Sequence, residues 1–443
     1  MDAFFAKYQL YIAALISIFA YIMLGYFFER EQWYLMMLLF TIAFTGMIAL
    51  LQTSNYEKTF FTIGVLYRII FLFATPALSQ DFYRFIWDGH TLIAGINPYQ
   101  YQPDAIVHSI ASFPNASYLY EKMGALSASH FSNYPPINQL FFAVAALIGG
   151  KSILVSTICL RVVIIAADIG IYFYGKRILT HFNKNTENIF WYFLNPLVIV
   201  ELTGNLHFEG VMFFFFVAGL YFLLTQKYVF SAVLIALSIS VKLLPLLLLP
   251  LFFNYLKFKK SILFYAIIIG LNVLFFLPFL NSSLVQNYSE TLALWFTNFE
   301  FNASIYYVMR EIGYYYKGYN TIHIIGQITP FVTVAIILFF AFFKKNNSVA
   351  SLIVNALMVI TLYVFISTTV HPWYVISLLV LSVFTNYKFP LVWSFSVLFS
   401  YYAYSQVPFK ENMPLIALEY ALVFGCFLFE VVYKPFYIER NGN

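Results

Sequence analysis

Charge is what this chain has least of. Asp, Glu, Lys and Arg make up 10% of its 443 residues, where a soluble domain carries about 25%. Hydrophobic residues make up 62%. No soluble packing hides that much apolar surface, so the chain belongs in a bilayer. Cysteine is nearly missing too. Cys159 and Cys426 are the two present, both in apolar runs. That excludes a disulfide framework and a cysteine metal site, and both read as small buried hydrophobes. The net charge of +5 gives no argument for a nucleic-acid partner, because placement of Lys and Arg is what counts in a membrane protein. Aromatics are plentiful at 21%, with 53 Phe and 36 Tyr. They read as composition and interfacial belts rather than an aromatic ligand box.

Apolar runs long enough to span recur along the chain, near 9–28, 34–51, 59–78, 152–174, 188–203, 209–225, 229–256, 261–280, 323–343, 350–369, 373–385, 389–406 and 414–433. They predict an all-α polytopic membrane protein, one domain over 1–443, with about 11 to 14 spans. The first run follows Lys7. It is too long for a secretory core and lacks a small-residue cleavage site, so it reads as an uncleaved span. The 229–256 run is interrupted at Lys242 and Pro245. Two polar interruptions stand out, 79–137 and 281–322.

Orientation follows from the basic residues. With a cytoplasmic N-terminus, Lys58, Lys176, Arg177, Lys184, Lys227, Lys257, Lys259, Lys260, Lys344, Lys345, Lys388, Lys434 and Arg440 fall inside. This requires that 135–150, whose apolar part is short, dips in from the outer face without crossing. Then 79–137, 204–209, Lys242, 281–322 and His371 gather at the outer face, which is the first pointer to a site.

The first outer loop opens with QDFYRFIWDG, residues 80–89. Read as a helix over 81–93, it puts Asp81, Arg84, Asp88 and Thr91 on one stripe and Phe82, Phe85, Ile86, Leu92 and Ile93 opposite. That pattern predicts an interfacial helix with its polar edge toward water or a cleft. Ser79 is the expected N-cap, and Asp81 then lies in the first turn, where the helix dipole favours a carboxylate. Gly95 and Pro98 end the helix. Asp81 and Arg84 read either as a surface ion pair or as part of a site at head-group depth, since Asp81 directly follows a span.

Other ionisable residues carry two readings each. Lys242 is a phosphate contact or a lysine snorkelling from a helix end. His207 and Glu209, in GNLHFEG, belong to a pocket or to a capped turn, and Gly204 and Gly210 suggest close backbone approach. His371, before Pro372 and Trp373, is a site residue or part of an aromatic belt. Arg161 and Asp168, seven apart, read as a structural pair with neighbouring helices, as do Arg68 and Glu201. Glu300 and Arg310 are candidate acceptor contacts in the second loop. Asp81, His207, Glu209 and His371 together could hold a divalent ion, although their spacing matches no metal motif.

Five stretches in order carry a family resemblance: QDFYRFIWDGHTLIAGINPYQYQP from residue 80, NYPPINQLFFAVAAL at 133–147, NPLVIVELTGNLHFEG at 195–210, SVKLLPLLLLP at 240–250 and HPWY at 371–374. Together they resemble the polyprenyl-phosphate-sugar-dependent glycosyltransferases of the GT-C fold, most of all the bacterial mannosyltransferase-like branch, glycosyltransferase family 87 and its relatives. Relatives often carry two adjacent acids where this chain has Gln80–Asp81, and an Asn-Asp-type pair where it has Phe208–Glu209.

The resemblance implies a GT-C-like bundle that moves a hexose, mannose by family, from a polyprenyl-phosphate donor to a hydroxyl of a glycan, glycolipid or protein. Transfer is inverting and takes place on the outer face of a bacterial inner membrane. By motif match Asp81 is the general base and His371 assists. Arg84, Asp88, Asn97, Tyr134, His207, Glu209 and Lys242 are assigned to substrate, with Lys242 on the lipid phosphate. No cofactor is implied. The residue types suit the chemistry. A sugar hydroxyl must lose its proton as it attacks, and a phosphate leaving group needs cationic donors. Two other readings remain. A lipid-linked sugar transporter or flippase would explain intramembrane charges but not the acid-headed first loop, and the chain shows no clear internal repeat. An O-antigen-type polymerase or ligase would carry its large loop late, whereas the first large loop here is early.

Overall fold

The computed structural model describes residues 2–53, 56–109 and 112–433. Lys434 and Arg440, expected on the inner side, lie outside them. Among the described residues the chain is helical, and its one β-like feature is an isolated bridge between Phe301 and Thr369. The elements that position the site are α1 (Asp2–Tyr26), α2 (Trp33–Leu51), α3 (Glu57–Ile70), α4 (Asp81–Ile93), α5 (Pro136–Gly149), α6 (Ile153–His181), α7 (Glu209–Leu224) and α8 (Tyr228–Val241).

Among the described residues seven helices are long and apolar enough to cross a membrane: Lys7–Tyr26 within α1, α2, α6, Leu244–Phe279, Ile322–Phe342, Val349–Ile366 and Met413–Tyr433. An eighth arises if Pro196–Gly204 and α7, bent by 113° at their junction, count as one span. The protein is thus a polytopic helical membrane protein with fewer unbroken spanning helices than the sequence has apolar runs. The surplus runs are broken by local chemistry. The 59–78 run stops being helical after Ile70. The 188–203 run is interrupted at Asn195–Pro196, where the asparagine side chain caps a new turn. The 373–385 and 389–406 runs give only Tyr374–Ser382 and Phe389–Ser396, the latter tightening into 3-10 turns. The 229–256 run does break at Lys242, whose backbone is extended. The chain resumes as 3-10 turns over Leu244–Leu251 and turns sharply again at Lys257.

Helix α6 sets the vertical scale. Its Ser152 N-cap accepts from Val155 N, and its 29 residues reach about 43 Å. At one end Asn115 of the first loop donates to Lys151 O. At the other, Lys176 pairs with Glu57, and Lys184 donates to Asn386. The first loop and the basic residues near 176–184 are therefore a full helix length apart. Helix α5, with 14 residues, is about 21 Å long and shorter than the hydrocarbon core. Both of its ends meet residues of the loop end of the bundle. Ile137 N donates to Ser240 Oγ at the end of α8, and Lys151 follows its C-terminus.

Buried charge ties the bundle together. Arg68 of α3 pairs with Asp168 of α6 at 2.8 Å, both fully buried. Tyr192 donates to the second Asp168 oxygen. Arg161 of α6 donates to the carbonyls of Thr203, Gly204 and Leu72. Arg161 and Asp168, read from sequence as a structural pair with neighbouring helices, do bond to neighbouring elements, in two separate clasps.

Candidate active site

The first loop is built around α4, and α4 is not the surface helix its pattern predicts. Phe82, Phe85, Ile86 and Trp87 are buried, but so are Arg84, Asp88, His90 and Thr91. The polar stripe, read from sequence as facing water or a cleft, faces α5 and the 127–132 segment. Arg84 pairs with Asp88 at 2.7 Å, both almost fully buried. The guanidinium also donates to the carbonyls of Ser127 and His130. Asp88 accepts in turn from Ser132 Oγ at 2.6 Å and Gln139 Nε2 at 3.0 Å. The Asp81–Arg84 ion pair considered from sequence does not form. Gly89 explains the close fit, since a Cβ there would lie 2.2 Å from the Phe142 carbonyl oxygen of α5. Ser79 Oγ accepts from Asp81 N at 3.3 Å, although the cap position itself is Gln80. The helix closes as expected at Gly95. Gly95 takes a left-handed φ of 75°, with Ile96 N bonded to Thr91 O and Gly95 N to Leu92 O.

Asp81 alone of this helix's charged groups opens outward. It keeps 37% of its side-chain surface, and its Oδ2 lies 3.9 Å from His207 Nε2, an ion-pair contact longer than a hydrogen bond. His207 Nδ1 lies 3.2 Å from Glu201 Oε2 and 3.1 Å from the Glu201 carbonyl oxygen. Glu201 accepts from Tyr401 at 2.6 Å and from Asn205 at 3.3 Å. The order Asp81–His207–Glu201–Tyr401 thus runs from the open side to the interior.

The local backbone holds this line in place. Residues Ile199–Gly204 form a wider π-helical turn, a form common at functional sites. Its last carbonyls are held by Arg161. The following turn places buried Leu206 at φ 65°, a strained conformation for a branched residue. That turn swings His207 back over Glu201.

A column of rings backs the pair. His207 stacks on Trp373 at 3.7 Å between centroids, and Trp373 stacks on His371 at 4.3 Å. Phe301 follows His371 at 5.2 Å. The bridge from Phe301 to the 368–370 backbone fixes this register.

Electrostatics separate the two histidines. Burial pushes His207 down, but Asp81, Glu201 and Glu209 outweigh it and raise it to about 9, so it is an imidazolium at neutral pH. Burial pushes His371 down, and the cations around it help hold it at about 3, so it is neutral. Burial pushes the Asp81 carboxyl up, but His207, with Lys242 beyond, holds it below its ordinary value.

The remaining sequence candidates divide. Lys242 and Glu209 meet each other at 2.5 Å, beside the Asp81–His207 pair. Asn97 donates to Phe279 O and accepts from Tyr99 N, tying the first loop to the turn that precedes the second. Tyr134 accepts from Tyr99 through its carbonyl and packs its ring edge-on to Phe85. Gly204 and Gly210 do mark close approaches, but to Phe71 and to Leu202 and Asp168 rather than to an open pocket. Arg310 pairs with Glu300 at 3.0 Å. Among the described residues no group of three or more His, Cys, Asp or Glu is gathered as a metal site. The site members that sequence reading missed are Glu201, taken for a structural acid, with Trp373 and Tyr401. Glu201 lies six residues before His207, and only the π-turn brings them together.

Comparisons with known proteins identify the family of the chain. A profile of the MptA_B family, described as the alpha-(1->6)-mannopyranosyltransferase N-terminal domain, matches residues 11–256. Two relatives carry the name alpha-(1->6)-mannopyranosyltransferase A. One, from Mycobacterium tuberculosis, is 26% identical over 190 residues, 42% of this chain and 35% of its own length. The other, from Corynebacterium glutamicum, is 25% identical over 183 residues, 40% of this chain and 35% of its own length. The match thus spans about a third of each curated relative. The profile, however, covers Asp81, His207, Glu201 and Lys242 and more than half of the chain, and the protein belongs to the alpha-(1->6)-mannopyranosyltransferase N-terminal-domain family.

Proposed function

We infer that this protein is an inverting mannosyltransferase of a bacterial membrane. It takes mannose from a polyprenyl-phosphate donor and passes it to a sugar hydroxyl on the outer face. The acceptor oxygen forms a bond to the anomeric carbon. The bond from that carbon to the phosphate oxygen breaks, its electron pair leaving with the phosphate. The acceptor proton goes to Asp81. Inversion makes an α-linked product from a β-linked donor.

The observation that carries the reading is the half-open Asp81 carboxylate held 3.9 Å from a buried imidazolium. His207 keeps Asp81 ionised, and the Glu201 carboxylate behind it keeps His207 charged. The acid is thus ready to accept a proton that is released only as the new bond forms. His371, neutral and beside it, offers one ring N–H and one lone pair. It suits a hydroxyl or phosphate oxygen. An apolar groove of about 470 Å³, lined by Leu243, Leu246, Val273, Phe276, Leu284 and Val285 among others, adjoins Lys242 in the chain and suits the polyprenyl tail. The family relationship favours transfer over the transporter and polymerase readings.

The test is single-turnover transfer in detergent from radiolabelled polyprenyl-phosphate-mannose to a mannoside acceptor. Asp81→Asn is expected to lower the rate by 10²-fold or more, the scale of lost general-base catalysis, while still binding donor. Chelator is expected to leave transfer intact, because Glu209 is paired with Lys242 and His207 is charged. Normal transfer by Asp81→Asn together with loss in His371→Gln would move the base to His371.

A further inference from the structure

The turn between α1 and α2 carries a cation that the reaction so far leaves idle. Arg30 lies between Glu29 and Glu31, yet the ion pairs among the described residues take up Arg68, Arg84, Lys122, Lys176, Lys242 and Arg310 and not Arg30. Its guanidinium lies 3.4 Å from the centre of the Tyr404 ring. Its Nε is buried and has no hydrogen-bond partner. A ring face stabilises the charge without neutralising it, and a buried unpaired N–H group is costly.

The position of Arg30 gives the charge a direction. Tyr404 packs 5.8 Å from Phe301, and Phe301 packs 5.2 Å from His371. Tyr404 lies within the fields of both Arg30 and Asp81. Arg30 therefore stands across the ring column from the Asp81–His207 pair. Lys242, the sequence candidate for the phosphate, is already matched by Glu209 at 2.5 Å.

We propose that Arg30 receives the phosphate of the lipid-linked donor. The proposal rests on the polyprenyl-phosphate reading above. As the bond from the anomeric carbon to the phosphate oxygen breaks, the donor's phosphodiester monoanion becomes a monoester that gains one negative charge. A planar, permanently charged guanidinium whose Nε has no hydrogen-bond partner suits that group.

The experiment measures binding of polyprenyl monophosphate, polyprenol and inorganic phosphate to the full protein in detergent. Wild type is expected to prefer the monophosphate to the alcohol. Arg30→Gln is expected to weaken monophosphate binding by roughly 10- to 100-fold and to leave polyprenol binding and the melting midpoint unchanged. Arg30→Lys is expected to keep most of the preference. Wild-type affinity in Arg30→Gln overturns the Arg30 assignment and leaves the donor reading standing. Equal affinity of wild type for monophosphate and alcohol overturns the donor reading itself. A parallel loss of polyprenol binding in Arg30→Gln, or a lowered midpoint, makes Arg30 a packing residue and overturns the proposal. So does displacement by inorganic phosphate at concentrations comparable to the monophosphate.

Discussion

Asp88→Asn separates a structural clasp from a substrate contact. The carboxylate accepts from Arg84 Nε, Ser132 Oγ and Gln139 Nε2 at 2.7, 2.6 and 3.0 Å, and its side chain is 1% exposed. Removing one partner of a buried ion pair costs about 3–5 kcal/mol. Asparagine keeps one acceptor oxygen, and Arg84 keeps the Ser127 and His130 carbonyls. The expected loss is therefore near the lower end, about 3 kcal/mol. It should appear as a lower heat-denaturation midpoint in detergent, with donor affinity normal in the fraction that stays folded. Arg84→Met combined with Asp88→Leu should lose less than either single change, because no charge is then left unpaired. The reasoning is wrong if Asp88→Asn melts within about 0.5 kcal/mol of wild type but transfers mannose tenfold more slowly. Asp88 would then touch substrate, as its motif position first suggested.

Two further tests probe the site and its support. His207 is raised to about 9, above an ordinary value of about 6.5. Its charged contact with Asp81 is thus complete below the ordinary value and is lost as pH rises through about 9. Asp81 is depressed, so its carboxylate is lost only as pH falls through that lowered value. The profile of kcat/KM should be a broad bell. His207→Gln should erase the alkaline limb and move the acidic limb to higher pH, since burial then acts on Asp81 unopposed; unchanged limbs would rule the pairing out. Gly89→Ala would set a Cβ 2.2 Å from the Phe142 carbonyl oxygen and 2.9 Å from the Ala146 side chain. Backbone cannot yield as a side chain can, so α4 must move away from α5 at about 3 kcal/mol. Asp81 moves with it, and kcat should fall at least tenfold; full activity would show that α4 does not position the acid.

The sequence made the helical class, the breaks at Lys242 and Gly95, and the outward Asp81 legible, because each has a local cause. A run of apolar residues, an extended lysine and a left-handed glycine leave their marks within a few positions. The burial of Arg84 and Asp88 leaves no such mark. An i, i+4 pair with apolar residues opposite reads the same whether its polar edge meets water or the Ser132–Gln139 segment more than forty residues on. The long-range partners decide, and Gly89 was the one local hint that another backbone lies against this helix. The apolar runs outnumber the long unbroken helices for a related reason. Hydropathy measures what a run is made of, whereas Asn195–Pro196 and the tight turns after Phe389 decide whether it stays one helix.

The same long-range view explains how charge is divided in this protein. Arg68–Asp168 and Arg84–Asp88 are ion pairs between buried partners, and Arg161 is met by carbonyls inside the bundle. Glu430 is met in the same way by the backbone N–H groups of Lys388 and Phe389. Such sets fix how helices sit and leave little charge for a ligand. Asp81, His207 and Arg30 are arranged differently. Asp81 meets its cation at a distance too long for a hydrogen bond and keeps an open side. His207 is charged between two acids. Arg30 lies over a ring and is in none of the ion pairs of the described residues. A base and a cation left incompletely satisfied on either side of a stacked His–Trp–His column can both improve their contacts when a hydroxyl and a phosphate arrive between them. That difference in satisfaction, more than the number of charges, is what the proposed transfer would use at this end of the bundle.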